Sequence, residues 1–208
     1  MRSNALMIAF LLFCRGCIMW DAGYTSNKPI DKYAMSASEK IPISYSVSLD
    51  LARTDIIAAP DVKELTQKIE SALRETDLFS EISYGKKDGK DSYHIEFTFR
   101  QAGMSVADSM AVGLLAGYSL LLIPTCELLT FDGTAVLTLQ GTPIYSTAKP
   151  EELRCLIWLP MAPFGVFMNA WTVWHYAEKG TVNALVNDIA DFHKRRFLKD
   201  VDVKVIKE

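Results

Sequence analysis

Two long stretches of this chain carry no Asp, Glu, Lys or Arg: Ser109 to Cys126 and Cys155 to Tyr176. Any fold must bury them, pass them through a bilayer or leave them against an apolar partner. Each approaches the roughly 20 residues that a helix needs to cross a hydrocarbon core. Each is also broken, by Gly113, Gly117 and Pro124 in the first apolar segment (106–126), and by Pro160, Pro163, Gly165 and Asn169 in the second (155–176). Trp158, Trp171 and Trp174 fall in the second with Tyr176 beside them, and such rings favour the headgroup level of a membrane. Three arrangements stay open: packing over a sheet as core, two spans, or a hairpin dipping into one leaflet. Two spans would set residues 127–154 in the cytoplasm. That loop carries Lys149 and Arg154 against Glu127, Asp132, Glu151 and Glu152, the reverse of the usual positive bias.

The start of the chain has the character of an address. Arg2 supplies a positive charge, and Ala5 to Phe13 then run without a polar side chain. That run is too short for a span and suits the apolar core of an export signal. Cys14-Arg15-Gly16-Cys17 follows. Gly16-Cys17 resembles the end of the bacterial lipoprotein signal, in which a small residue precedes a cysteine that becomes acylated, whereas Arg15 and Cys14 depart from its usual small and leucine-like positions. Cys17 is therefore the expected lipidation site and residues 1–17 the signal. Cys14 is its rival, although Phe13 is large for the residue at the cut. Several acyl chains anchor stably where one does not. The resemblance implies retention at the inner membrane when aspartate follows the cysteine; Ile18 stands there instead, which points to the outer membrane. Residues 18–40, polar with Gly23 and Pro29, read as a linker.

The remainder, 41–208, reads as a single α+β domain. Ile43, Tyr45, Val47, Leu49 and Leu51 alternate with polar residues, a period of two that marks a half-buried strand. Asp61 and Glu64 begin a helix, with Val62, Leu65, Ile69 and Leu73 at helical spacing. Gly85 to Asp91 is a charged turn, expected to be a hairpin turn, and Tyr93, Ile95, Phe97 and Phe99 alternate as a second strand. A hairpin is expected over Thr134–Gln140 and Thr142–Ser146. A last helix carries Val182, Leu185, Ile189 and Phe192 on one stripe, with Lys194-Arg195-Arg196 near its C-terminal end. Val201, Val203 and Val205 alternate as a short edge strand. The expected architecture is a small mixed sheet with two packed helices, interrupted by two apolar segments that flank a β-hairpin.

This order of elements, with Leu122-Ile123-Pro124-Thr125 before the hairpin and Trp158-Leu159-Pro160-Met161-Ala162-Pro163-Phe164 after it, resembles uncharacterised bacterial envelope lipoproteins over about residues 41–198. The β-α-β half is also similar to compact envelope-assembly domains such as the lipopolysaccharide-assembly lipoprotein. The resemblance implies a fold and a compartment and carries no site.

Cys126 and Cys155 stand at either end of the hairpin and are a candidate disulfide for an oxidising periplasm. In the chain-entropy model its loop is worth roughly 3–4 kcal/mol; two free thiols packed as small apolar groups are the alternative. The chemistry search assigns no catalytic residue, no metal ligand set and no cofactor. His94, His175 and His193 show no metal-ligand spacing, and there is no GxSxG elbow or phosphate loop. With a formal net charge of −3 and interspersed signs, the chain has no basic field for nucleic acid. The expectation is a non-catalytic lipoprotein of the bacterial envelope, anchored to a membrane by lipid, facing the periplasm and meeting an envelope protein partner. Its rivals are an inner-membrane accessory subunit with a two-span hairpin and an envelope hydrolase built from dispersed residues.

Overall fold

A computed structural model describes residues 17–21, 29–33, 40–51, 61–85, 93–102, 110–111, 114–115, 118, 125–157 and 170–205. Seven strands form one mixed sheet: β1 (Cys17–Asp21), β2 (Ile41–Leu51), β3 (Phe79–Tyr84), β4 (Tyr93–Ala102), β5 (Thr125–Leu139), β6 (Thr142–Lys149) and β7 (Glu152–Ile157). Two long helices among the described residues, α1 (Val62–Glu75) and α2 (Ala170–Val205), complete the α+β fold that the hydrophobic patterning anticipates. The sheet runs β1-β7-β5-β4-β2-β3, with β6 beside β7 along the same edge of β5. Strand β2 pairs in parallel with β3 and β4, and every other pairing is antiparallel.

Alternation builds the two faces. On β4, Ile95, Phe97, Phe99 and Gln101 are buried, while Glu96 and Arg100 are exposed. On β5, Phe131, Gly133, Ala135 and Leu137 continue the buried face. Leu65, Ile69 and Leu73 of α1 and Val182, Leu185, Val186 and Ile189 of α2 close this face as one core. Each such side chain stabilises the fold by about 1.5–3 kcal/mol.

Local chemistry sets the element ends. Asp61 caps α1, its side chain accepting from the Lys63 amide at 2.9 Å. Thr76 ends it, its hydroxyl donating to the Leu73 carbonyl, and Asp77 turns the chain with φ +59. Gln140 and Gly141, both at positive φ, make the two-residue turn of the β5–β6 hairpin.

Several segments depart from the sequence reading. Phe79–Tyr84 leaves α1 as strand β3, parallel to β2. The turn starting at Gly85 is therefore no hairpin: β3 and β4 lie on either side of β2 and run the same way. Strand β1 (Cys17–Asp21) runs from the last residue of the expected signal into the stretch expected as linker, 18–40, in which Ile30 and Tyr33 are also buried. Residues 29–33 are fastened to α2: the Asp31 amide donates to Asn187 Oδ1, Asn187 Nδ2 donates to the Pro29 carbonyl, and the Tyr33 hydroxyl donates to Asp191. Val201, Val203 and Val205 are no edge strand; they continue α2, which runs without a break from Ala170.

At Gly133 α2 presses tightly against the sheet. A Cβ there would lie 2.6 Å from Thr181 Cγ2, 2.9 Å from Leu185 Cδ1 and 3.2 Å from Phe99 Cε1. Gly133→Ala is expected to destabilise the fold by about 1–3 kcal/mol in urea unfolding, through overpacking. Adding Thr181→Ser, which removes the nearest methyl, should return part of the loss. No effect of Gly133→Ala would mean that α2 is not held at this distance.

Candidate membrane-facing site

Strand β5 is longer than its neighbours, and that excess builds the site. Its pairing with β4 stops at Ala102↔Thr130, yet β5 extends to Thr125. At ~3.4 Å per residue this is roughly 17 Å of strand beyond the end of β4. Along the extension Thr125–Thr130 pairs with β7, and β7 pairs with β1. The outcome is a three-stranded ribbon whose last row is Cys17, Ile157 and Thr125. With strands ~4.8 Å apart, about 10 Å separates Cys17 from Thr125 across that row. The last two rows hold Cys17, Ile18, Thr125, Cys126, Leu156 and Ile157, none of them charged.

The ribbon tip is also where the first apolar segment returns and the second departs. Residues 103–124 leave from the end of β4 and return at Thr125, and residues 158–169 leave from Ile157 and return at Ala170. Helix α2 starts at this end of the sheet and runs away from it. Its early turns meet the first turns of α1 through His175 and Glu178, and His193 reaches Tyr93 at the opposite end. Both ends of each apolar excursion therefore lie at one end of the fold, and a single crossing of a bilayer would separate them. The second excursion has twelve residues outside β7 and α2, about 18 Å as a helix against a core of about 30 Å. Among the described residues no helix is long and apolar enough to cross a membrane.

Within the first excursion Met110, Ala111, Leu114, Leu115 and Tyr118 are helical and exposed. Met110 is 66% exposed, Leu114 61%, Leu115 51% and Tyr118 89%, and their spacing of four, five and eight from Met110 sets them along one helical stripe. Apolar periodicity signals such a stripe but not its exposure, so sequence reasoning did not single these residues out. Trp158, the first of the tryptophans expected at a membrane, lies outside the described residues. Trp171 and Trp174 fall in the first turns of α2 with side chains outside the described set; Tyr176, just beyond them, is exposed.

Of the expected lipidation sites, Cys17 opens β1 and Cys14 lies outside the described residues. Cys126 stands opposite Leu156, and Cys155 opposite Glu127 and Met19. The two cysteines thus stand on adjacent strands, with their side chains outside the described residues. If they form the expected disulfide, both react with an alkylating reagent in denaturant only after reduction; alkylation of both without reductant would remove it.

Two polar clusters bear on catalysis and metal binding. His94 lies opposite Ser44 on β2, with Ser44 Oγ 2.8 Å from Nδ1 and Ser46 Oγ 3.0 Å from Nε2. Both ring nitrogens are engaged by hydroxyls of one strand, and Ser48 pairs with Thr98 in the next row. Together they make a hydroxyl ladder on the sheet face. His193 is buried against Tyr93, and burial, with Arg196 adding to it, lowers its imidazole pKa below the ordinary value. Donor atoms of Glu64, His175 and Glu178 lie within 4.8 Å of one another. The Lys68 ammonium already sits among them, 3.1 Å from Glu64 and in contact with the buried Glu178, while His175 Nδ1 is 3.0 Å from Glu64. The cluster clamps the start of α2 onto α1. Its sequence traces are Glu64 and Lys68 at i,i+4 and His175 and Glu178 at i,i+3; spacing alone cannot pair the two helices. Lys68→Met, which strips the ammonium from Glu178, is expected to cost about 2–3 kcal/mol in urea unfolding, less than a fully buried pair because Glu64 is partly exposed. An unchanged midpoint would remove the clamp.

No protein-family model and no curated protein matches this chain. Solved structures do. A putative neuraminyllactose-binding hemagglutinin homolog from Helicobacter pylori is 9% identical over 86% of this chain and 98% of its own, with a TM-score of 0.48. A DUF330 protein from Xanthomonas campestris is 9% identical over 85% of this chain and 97% of its own, with a TM-score of 0.40. A minor lipoprotein from Acinetobacter baumannii is 12% identical over 73% and 94%, with a TM-score of 0.33.

Proposed function

We propose that this chain is a non-catalytic lipoprotein of the bacterial envelope, fastened by acyl chains on Cys17 and holding its α+β domain against a membrane on the periplasmic side. The observation that carries this reading is the shared tip row. The cysteine that ends the signal-like stretch stands beside Thr125 and Ile157, where the two uncharged segments rejoin and leave the sheet. An anchor at that point brings the apolar end of the molecule to the bilayer. Anchoring elsewhere would hold it in water, at a cost that grows with the apolar area left exposed.

The remaining surface suits this role. The sheet face opposite the helices is polar, with Ser48, Asp50, Glu96 and Arg100 exposed, and it stays accessible to an envelope partner when the ribbon tip points at the membrane. Ile18 after the cysteine favours the outer membrane.

Mass spectrometry of the protein isolated from bacterial membranes is the direct test. The expected mature terminus is an acylated Cys17, with residues 1–16 removed. Cys17→Ala should abolish both the cleavage and the acyl mass. An intact Met1 on an untethered protein in the cell interior would overturn the reading, and an acylated Cys14 would move the anchor off the ribbon.

A further inference from the structure

The stripe of Met110, Leu114, Leu115 and Tyr118 has no role in the core, because its members point away from it. Isolated apolar side chains on a surface are ordinary, but a contiguous row without an intervening charge marks a contact. Here the uncharged sequence runs from Ser109 to Cys126, so the stripe has no ionic group within it and none on either flank until Asp108 and Glu127.

We infer that this helical stripe is a second membrane contact, lying in the headgroup region of the same leaflet that receives the acyl chains of Cys17; its choice of leaflet rests on the proposed anchoring, whereas its affinity for lipid does not. Three observations select a lipid leaflet over a protein. The stripe belongs to an excursion that departs from Ala102 and rejoins at Thr125, in the tip row that contains Cys17. A protein interface combines an apolar centre with a polar, charge-bearing rim, and Asp108, ahead of the stripe, is the single charge in the excursion and makes no such rim. Tyr118, the most exposed of the four, pairs an apolar ring with a hydroxyl that stays wet at the headgroup level. Tyr176 is exposed on the early part of α2, which starts at the same end of the fold. A helix in this position buries its apolar face about 5–10 Å below the headgroup boundary without crossing the core.

The inference is tested on the full chain, produced with its own leader in a bacterial envelope. A photo-reactive p-benzoylphenylalanine replaces Tyr118 in one variant, Leu114 in a second and Ser48, on the polar sheet face, in a third. After irradiation of intact membranes, mass spectrometry reads the adduct at each site, and the N-terminal peptide of the same sample reports acylation of Cys17. The expected result is a phospholipid adduct at positions 118 and 114 and none at 48. A protein adduct at 118 and 114, whether to a second copy or to another chain, overturns the inference, as does the absence of any adduct there. Acylated Cys17 with protein adducts leaves the anchoring reading intact and removes only the stripe's role. A lipid adduct on a chain without acyl mass supports lipid contact by the stripe and removes the anchor.

Discussion

The length of β5 is the constraint on which the arrangement depends. One edge of this strand serves β4, and the other must serve both β6 and β7, which lie end to end along it. The Phe131 amide bridges the junction by donating to the Glu151 carbonyl, so the ladder continues where the partner strand changes. Strand β4 ends at Ala102, and beyond it β5 is paired along its other edge by β7, with β1 outermost, as a three-stranded ribbon. An uncovered extension would present unpaired backbone groups and a ready edge for aggregation. Strand β1 supplies the outermost pairing, and its first residue is Cys17.

The sequence announces elements whose two faces differ. Ile43 to Leu51 and Tyr93 to Phe99 are legible because one side meets helices and the other stays polar, which imprints a period of two. Strands β3 and β7 are harder to see for different reasons. Strand β3 is short and lies at the edge, with burial that does not alternate cleanly. In β7, Leu153 and Arg154 alternate, but Cys155, Leu156 and Ile157 merge into the uncharged run and read as its beginning. Residues 29–33 look like linker because Pro29, Asp31 and Lys32 dominate locally. Their place is decided by Asn187 and Asp191, more than 150 positions away, and no local pattern encodes that distance. The valines at 201, 203 and 205 show the converse: a period of two is a weak signal over five residues when a helix already has momentum through 36.

The end of the fold proposed to face the membrane was partly legible. Cys17 could be singled out from Gly16 and the apolar run before it, and the uncharged segments from composition alone. That all three converge on one row of the sheet is a matter of register, which depends on long-range pairing. The exposure of Met110, Leu114, Leu115 and Tyr118 was hidden for a related reason. A helix facing a protein core and a helix facing lipid share the same spacing of apolar residues, and only the surrounding fold says which it is. The Glu64–Lys68–His175–Glu178 clamp was equally invisible, since each helix contributes half of a cluster that exists only once they pack.

An anchor at a strand end and an anchor at the end of a flexible tether have different consequences. If Cys17 were followed by a free linker, the domain would tumble beneath the membrane and its apolar stripe would meet lipid only at the effective concentration that the linker sets. Strand β1 starts at Cys17 itself, so on the proposed anchoring its pairing with β7 carries the anchor directly into the sheet. The distance between anchor and excursion is then fixed at the spacing of two strand pairs, and the entropy of bringing the stripe to the leaflet is spent in folding, not in binding. Two contacts on a rigid end also restrain tilt, which one contact does not. On the proposed anchoring the strands stand away from the bilayer, and the polar sheet face with Glu96 and Arg100 rises beside it, open along its length to the periplasmic space.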